Sequence, residues 1–135
     1  MKATETADVE LRIPRRPEFV RVARMAARAV AAQLDFTYDL IMDIELAVGE
    51  ACTNSVEHVS LESCREVFTR FSAEPDRLVI EVIDHGQGFD PERPGGEGGG
   101  GLGLDVIRGV MDEVYIECGE GGGTRVRMVK YRPKG

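Results

Sequence analysis

The sequence predicts an α/β fold: a two-layer sandwich with helices on one face of a mixed, mostly antiparallel sheet. Three observations carry this. Apolar residues alternate over several short segments but recur every three to four positions over longer ones, so strands and helices are both present. Turn residues sit between consecutive alternating segments, which makes those strands antiparallel. The helical segments gather in the first half and centre of the chain, which suggests one helical layer over one sheet. A length of 135 residues suits one domain over 1–135, because two would each fall near the lower limit for burying a core.

Val9 to Ile13 alternates apolar and polar and reads as an edge strand ended by Pro14. Pro17 suits the first turn of a helix, in which Phe19, Val22, Ala23, Ala26 and Val30 recur up to about Leu34. Thr37 is placed to cap a second helix, with Asp39 and Asp43 where the helix dipole favours acids. Its apolar set, Leu40, Ile41, Ile44, Val48, Ala51 and Val56, extends it to roughly Val59. Glu66 to Ser72 and Leu78 to Asp84 form a hairpin across Glu74-Pro75-Asp76. Pro94 to Gly101 reads as a glycine-rich loop, Leu102 to Met111 as a third helix, and Val114 to Glu117 with Thr124 to Tyr131 as a closing hairpin.

Composition excludes several functions. No apolar run approaches the ~20 residues of a membrane span. The polar, charged stretch Met1 to Arg16 does not resemble a secretory signal, so a cytoplasmic location is expected. A net charge of −7 opposes direct binding to nucleic acid. Cys52, Cys64 and Cys118 lack C-x-x-C spacing, which argues for buried thiols rather than a disulfide framework or a zinc site. Charge is uneven: six arginines and one acid lie between Arg12 and Arg28, whereas Asp35 to Glu62 holds seven acids and no lysine or arginine. Arg21, Arg24 and Arg28 form one helical stripe, either a solvated face or a partner surface with Arg21 as a candidate.

Four motifs could carry chemistry. Glu50, Asn54 and His58 recur every four residues and project from one helix face, offering a base and a neutral oxygen ligand to a hard cation such as Mg²⁺. Ala47, Val48, Ala51, Cys52 and Ser55 place this row beside a packed face. Asp84-His85-Gly86-Gln87-Gly88 follows a strand, where the carboxylate can accept from an exocyclic amine and the glycines admit a ring or phosphate. Gly98 to Leu104 opens a helix whose bare amides suit phosphates. Its G-x-G-x-x-G match, with Glu117 further on, is not a Rossmann turn, because a long proline-containing loop separates it from Asp84. No Walker lysine follows any glycine run, which excludes a P-loop. Gly121-Gly122-Gly123-Thr124 could place a hydroxyl near a ligand at the start of the last strand, though a plain glycine hairpin ending in a β-favouring threonine is the simpler explanation.

In this order the four motifs resemble the ATP-binding domain of the GHKL (histidine-kinase-like ATPase) superfamily over nearly the whole chain. Glu45 to His58 and Gly101 to Val114 are most similar to the anti-sigma factor serine kinases of the RsbW type. The resemblance implies a Bergerat fold, ATP and Mg²⁺ as cofactors, and Glu50 as the catalytic carboxylate. Asn54 would hold Mg²⁺, Asp84 would read the adenine amine with Thr124 beside it, and Gly86 and Gly88 would flank the base. Gly101, Leu102 and Gly103 match the second glycine box, which meets the phosphates. The implied activity is ATP-dependent phosphorylation of a serine on an anti-sigma factor antagonist (STAS-type), coupled to sequestration of a sigma factor, in a protein that forms homodimers. Gly49, where the family often has serine, and a short lid from Phe89 to Gly100 depart from its pattern. Arg108 could add positive charge or be solvated. A sensor histidine kinase fits less well, because 135 residues leave no room for its phosphoacceptor hairpin. The competing class is a non-catalytic ATP/ADP-binding switch that sequesters a partner, and the presence of Glu50 discriminates against it.

Overall fold

Among the described residues, five strands and three helices occur in the order β1 (Ala7–Pro14), α1 (Val20–Ala32), α2 (Tyr38–His58), β2 (Glu66–Ala73), β3 (Arg77–Asp84), α3 (Gly100–Val110), β4 (Glu113–Cys118) and β5 (Thr124–Tyr131). The computed structural model describes residues 6–58, 66–84, 100–118 and 123–133. A 3₁₀ turn, Pro17–Phe19, leads into α1, where proline's fixed φ favours a helical start. The backbone N–H of Leu40 donates to Thr37 Oγ1 at 3.3 Å, which makes Thr37 the cap of α2. Between α1 and α2, Asp35 adopts a left-handed backbone (φ 63°), a conformation that aspartate tolerates better than most residues.

The sheet order is β1-β2-β3-β5-β4 and each of the four pairings is antiparallel. The expected mixed sheet is therefore wholly antiparallel. The chain crosses from β3 through α3 to β4, which runs parallel to β3, but β5 inserts between them and removes the parallel contact. The glycine-rich segment also differs from expectation: Gly100 and Gly101 belong to the first turn of α3 rather than to a loop ahead of it.

All three helices cover one face of the sheet. Ile13, Val67, Phe71, Leu78, Ile80, Val82, Val126 and Met128 point into the layer between sheet and helices, against Ala23, Ala27 and Ala31 of α1, Ile44, Ala47, Val48 and Ala51 of α2, and Leu104 and Ile107 of α3. The alanine row lets α1 approach closely. The opposite sheet face carries a row of alternating charge through all five strands. Glu10 meets Arg70 at 3.3 Å, Arg70 meets Glu81 at 3.7 Å, Glu81 meets Arg125 at 3.3 Å, and Arg125 meets Glu117 at 3.7 Å. Glu117, the acid that a Rossmann reading would have used, thus lies on the face away from the helices. Among the described residues no helix is long and apolar enough to cross a membrane.

Candidate nucleotide site

The site forms where α2, the N-terminus of α3 and the ends of β3 and β5 meet. Helix α2 contributes Glu50, half-buried, and one turn later Asn54, only 7% exposed; the buried residues Ala47, Val48, Ala51, Cys52 and Ser55 beside them confirm that the row borders a packed face. His58 ends α2, and its side chain lies outside the described residues.

Helix α3 docks on α2 through Gly103. A Cβ built there would stand 2.8 Å from Asn54 Nδ2 and 3.0 Å from Oδ1, closer than real contacts allow. Only glycine lets the carboxamide lie against the first turns of α3. Those turns expose backbone N–H groups without intrahelical partners and carry the positive end of the helix dipole. Gly101 and Leu102 belong to that segment. A carboxamide and an anion-binding helix terminus are thereby brought together from positions far apart in sequence.

At the sheet edge of the site, Asp84 closes β3 and is 5% exposed. It pairs in register with Thr124, the first residue of β5, so both side chains lie on the helix-covered face. Ser55 Oγ donates to Asp84 Oδ2 at 3.2 Å, tying α2 to β3. Thr124, 4% exposed, keeps a buried hydroxyl with no hydrogen-bond partner among the described residues. Buried polar atoms are almost always paired, so this hydroxyl has an acceptor and donor capacity that a polar ligand could use. The sequence pattern groups Ser55 with the small packing residues, because nothing in the spacing of α2 shows which strand it faces.

Gly86, Gly88 and the expected lid from Phe89 onward to residue 99 lie outside the described residues. Arg108 is exposed in the last turn of α3, away from the glycines and at the negative end of the helix, so it does not add charge to the phosphate end. The arginine stripe of α1 faces α2 in part: Arg28 lies 3.9 Å from buried Glu45, and the Arg24 stem passes over Gly49, where a Cβ would stand 3.1 Å from its Cδ. Gly49 thus makes room for an arginine of α1. Burial pushes the Cys52 thiol up to about 12, as an inert core thiol requires.

The histidine kinase-like ATPase domain family matches residues 13–130. The serine-protein kinase RsbW of Bacillus velezensis is 36% identical over 143 residues, covering 96% of this chain and 88% of that protein. The chain belongs to the RsbW-type kinases of the histidine kinase-like ATPase superfamily. The RsbW of Bacillus subtilis strain 168 is likewise 36% identical, over 91% of this chain and 84% of its own length. In three dimensions the RsbU and RsbW domains of a Mycobacterium tuberculosis protein superpose with a TM-score of 0.73 at 21% identity, covering 94% of this chain and 33% of that one. At that identity the likeness bears on the fold alone. Membership of the RsbW family makes the chain a GHKL-type serine/threonine protein kinase, and an ATPase domain of this kind binds ATP.

Proposed function

We propose that this RsbW-type chain transfers the γ-phosphoryl group of ATP to a serine of a small STAS-type anti-sigma factor antagonist, and that it sequesters a sigma factor when the antagonist is phosphorylated. Transcription would then follow the antagonist's phosphorylation state. The observation that carries the reading is the contact of Asn54 with Gly103, which sets a metal-binding carboxamide beside an anion-binding helix terminus.

Phosphoryl transfer depends on positioning and charge neutralisation more than on covalent help. Asp84 accepts from the adenine amine, and Thr124 offers its hydroxyl beside it. The α3 amides around Gly101, Leu102 and Gly103 meet the phosphate oxygens. Asn54 fits Mg²⁺, which favours oxygen donors and keeps few protein ligands; when bound, the ion neutralises phosphate charge. Among the described residues no cluster of three or more His, Cys, Asp or Glu side chains offers a metal cage, and phosphate oxygens and water would complete the coordination of an ion held by Asn54. Glu50, one helical turn from Asn54, orients the attacking serine hydroxyl and takes its proton. A switch that only bound nucleotide would have no use for that carboxylate, which favours the kinase over it.

The protein is proposed to act in the cytoplasm, as one domain over 1–135 that forms a homodimer, with exposed Arg21 of α1 as a partner contact. Mixing it with Mg²⁺, radiolabelled ATP and candidate antagonists from the same genome tests the reading. Label on one antagonist serine is the expected result. If no antagonist is labelled while partner capture still changes with nucleotide, the kinase reading fails and the switch takes its place.

A further inference from the structure

We propose that Ser55 is a positioning residue that sets base specificity: its hydroxyl holds the Asp84 carboxylate in the rotation that reads an adenine amine, and it withholds the donor that a guanine carbonyl would need. The role rests on the nucleotide pocket proposed above. Ser55 follows Asn54 on α2, is 5% exposed, and donates from Oγ to Asp84 Oδ2 at 3.2 Å across 29 residues of sequence. A carboxylate turns about its Cβ–Cγ bond in a broad, two-fold potential, so one anchored oxygen defines its plane. The bond is buried, where water competes poorly for it.

A serine hydroxyl has one proton and two lone pairs. With the proton given to Asp84, Ser55 presents only an acceptor to other groups. The wall formed by Ser55 and Asp84 is then composed of acceptors, which complements the adenine amino group and opposes the guanine carbonyl. Packing alone does not call for a hydroxyl here. The neighbouring buried positions 47 and 51 of the same helix are alanine, whereas serine is a poorer helix former whose hydroxyl must find a partner. Thr124, in register with Asp84, carries a buried hydroxyl with no partner among the described residues and so offers a second polar group at this level.

Calorimetric titration of the full chain with ATP, GTP and inosine triphosphate, in wild type, Ser55→Ala, Asp84→Ala and the double variant, tests the assignment. Ser55→Ala should lose about tenfold in ATP affinity. Its preference for ATP over GTP and inosine triphosphate should narrow by a similar factor, with KM for ATP raised and kcat unchanged. In the Asp84→Ala background the Ser55 substitution should have no further effect, because the acceptor of the Ser55 hydroxyl is gone. Ser55→Cys, with nearly the same volume and a weaker donor, should fall between wild type and alanine. Equal losses for all three nucleotides, or additive losses in the double variant, would mean that Ser55 only packs and would overturn the proposal. A selective wild type with an indistinguishable Ser55→Ala overturns Ser55 alone; a wild type that binds no ATP overturns the pocket as well.

Discussion

Asn54 and Gly103 touch so closely that no other residue fits at 103: an added Cβ would lie 2.8 Å from the Asn54 amide nitrogen. Glycine inside a helix normally costs about 0.5–1 kcal/mol relative to alanine, so propensity alone predicts that Gly103→Ala stabilises α3. The contact predicts that it displaces the carboxamide instead. Gly103→Ala should lower Mg²⁺-dependent ATP affinity by about 10–100-fold, the range for disturbing groups around a metal ligand. Gly109, on the same helix with nothing within 4 Å of an added Cβ, is the control. Gly109→Ala should leave affinity unchanged and raise the melting temperature, and paired titrations and melts check both.

Thr124→Val should make the protein more stable and a poorer ATP binder. The buried hydroxyl has no partner among the described residues, and leaving such a group unsatisfied costs about 1–3 kcal/mol. Valine keeps the shape and the β preference. Thermal melts without nucleotide should rise while ATP titrations weaken; a variant that loses stability would show that the hydroxyl is satisfied in the free protein.

Lys130 anchors the far end of α3. Its ammonium donates to the Val110 carbonyl at 2.6 Å and lies 3.8 Å from Asp112, while the Tyr131 N–H donates to Asp112 Oδ2 at 2.7 Å. Lys130→Met should cost about 1–3 kcal/mol in denaturant unfolding, because a helix-terminal carbonyl and a neighbouring carboxylate lose their cation. Removing the clamp should act on stability and leave nucleotide selectivity alone.

Cys52 should resist alkylation in the native protein at pH 8. Burial raises its thiol from 9.0 to about 12, so it stays protonated when folded. Its contribution to stability is complete below pH 9.0, where the unfolded thiol is also protonated, and is lost progressively as pH rises from there to about 12. Mass mapping of labelled peptides before and after denaturation reads the first effect, and alkaline melts read the second.

Periodicity and turn chemistry made most of the framework legible. Thr37 caps α2 as its position implies, and Glu74-Pro75-Asp76 joins β2 to β3. The wholly antiparallel sheet was not legible, because the insertion of β5 between β3 and β4 is a long-range choice that local patterns do not record. Glycine's poor helix propensity hides the first turn of α3 from the sequence pattern, although that turn carries Gly103, which meets α2. In the site, the spacing of Glu50 and Asn54 and the strand-end position of Asp84 could be read directly. Ser55 could not, since its role depends on which strand it faces, and the long arginine stem over Gly49 was equally silent.

If Glu50 acts on the serine proton rather than on the nucleotide, Glu50→Gln should separate phosphotransfer from ATP binding. Removing a positioned base should slow phosphotransfer to the antagonist serine by about 10²–10⁴-fold. The same substitution should change ATP affinity by no more than about threefold, because a group that acts on the serine proton in the transition state lowers kcat without altering nucleotide binding. Single-turnover transfer of labelled phosphate, measured beside calorimetric ATP binding on the same variant, gives both numbers. A variant that transfers phosphate at the wild-type rate, or one whose transfer falls only as far as its ATP affinity does, would show that Glu50 is not the base.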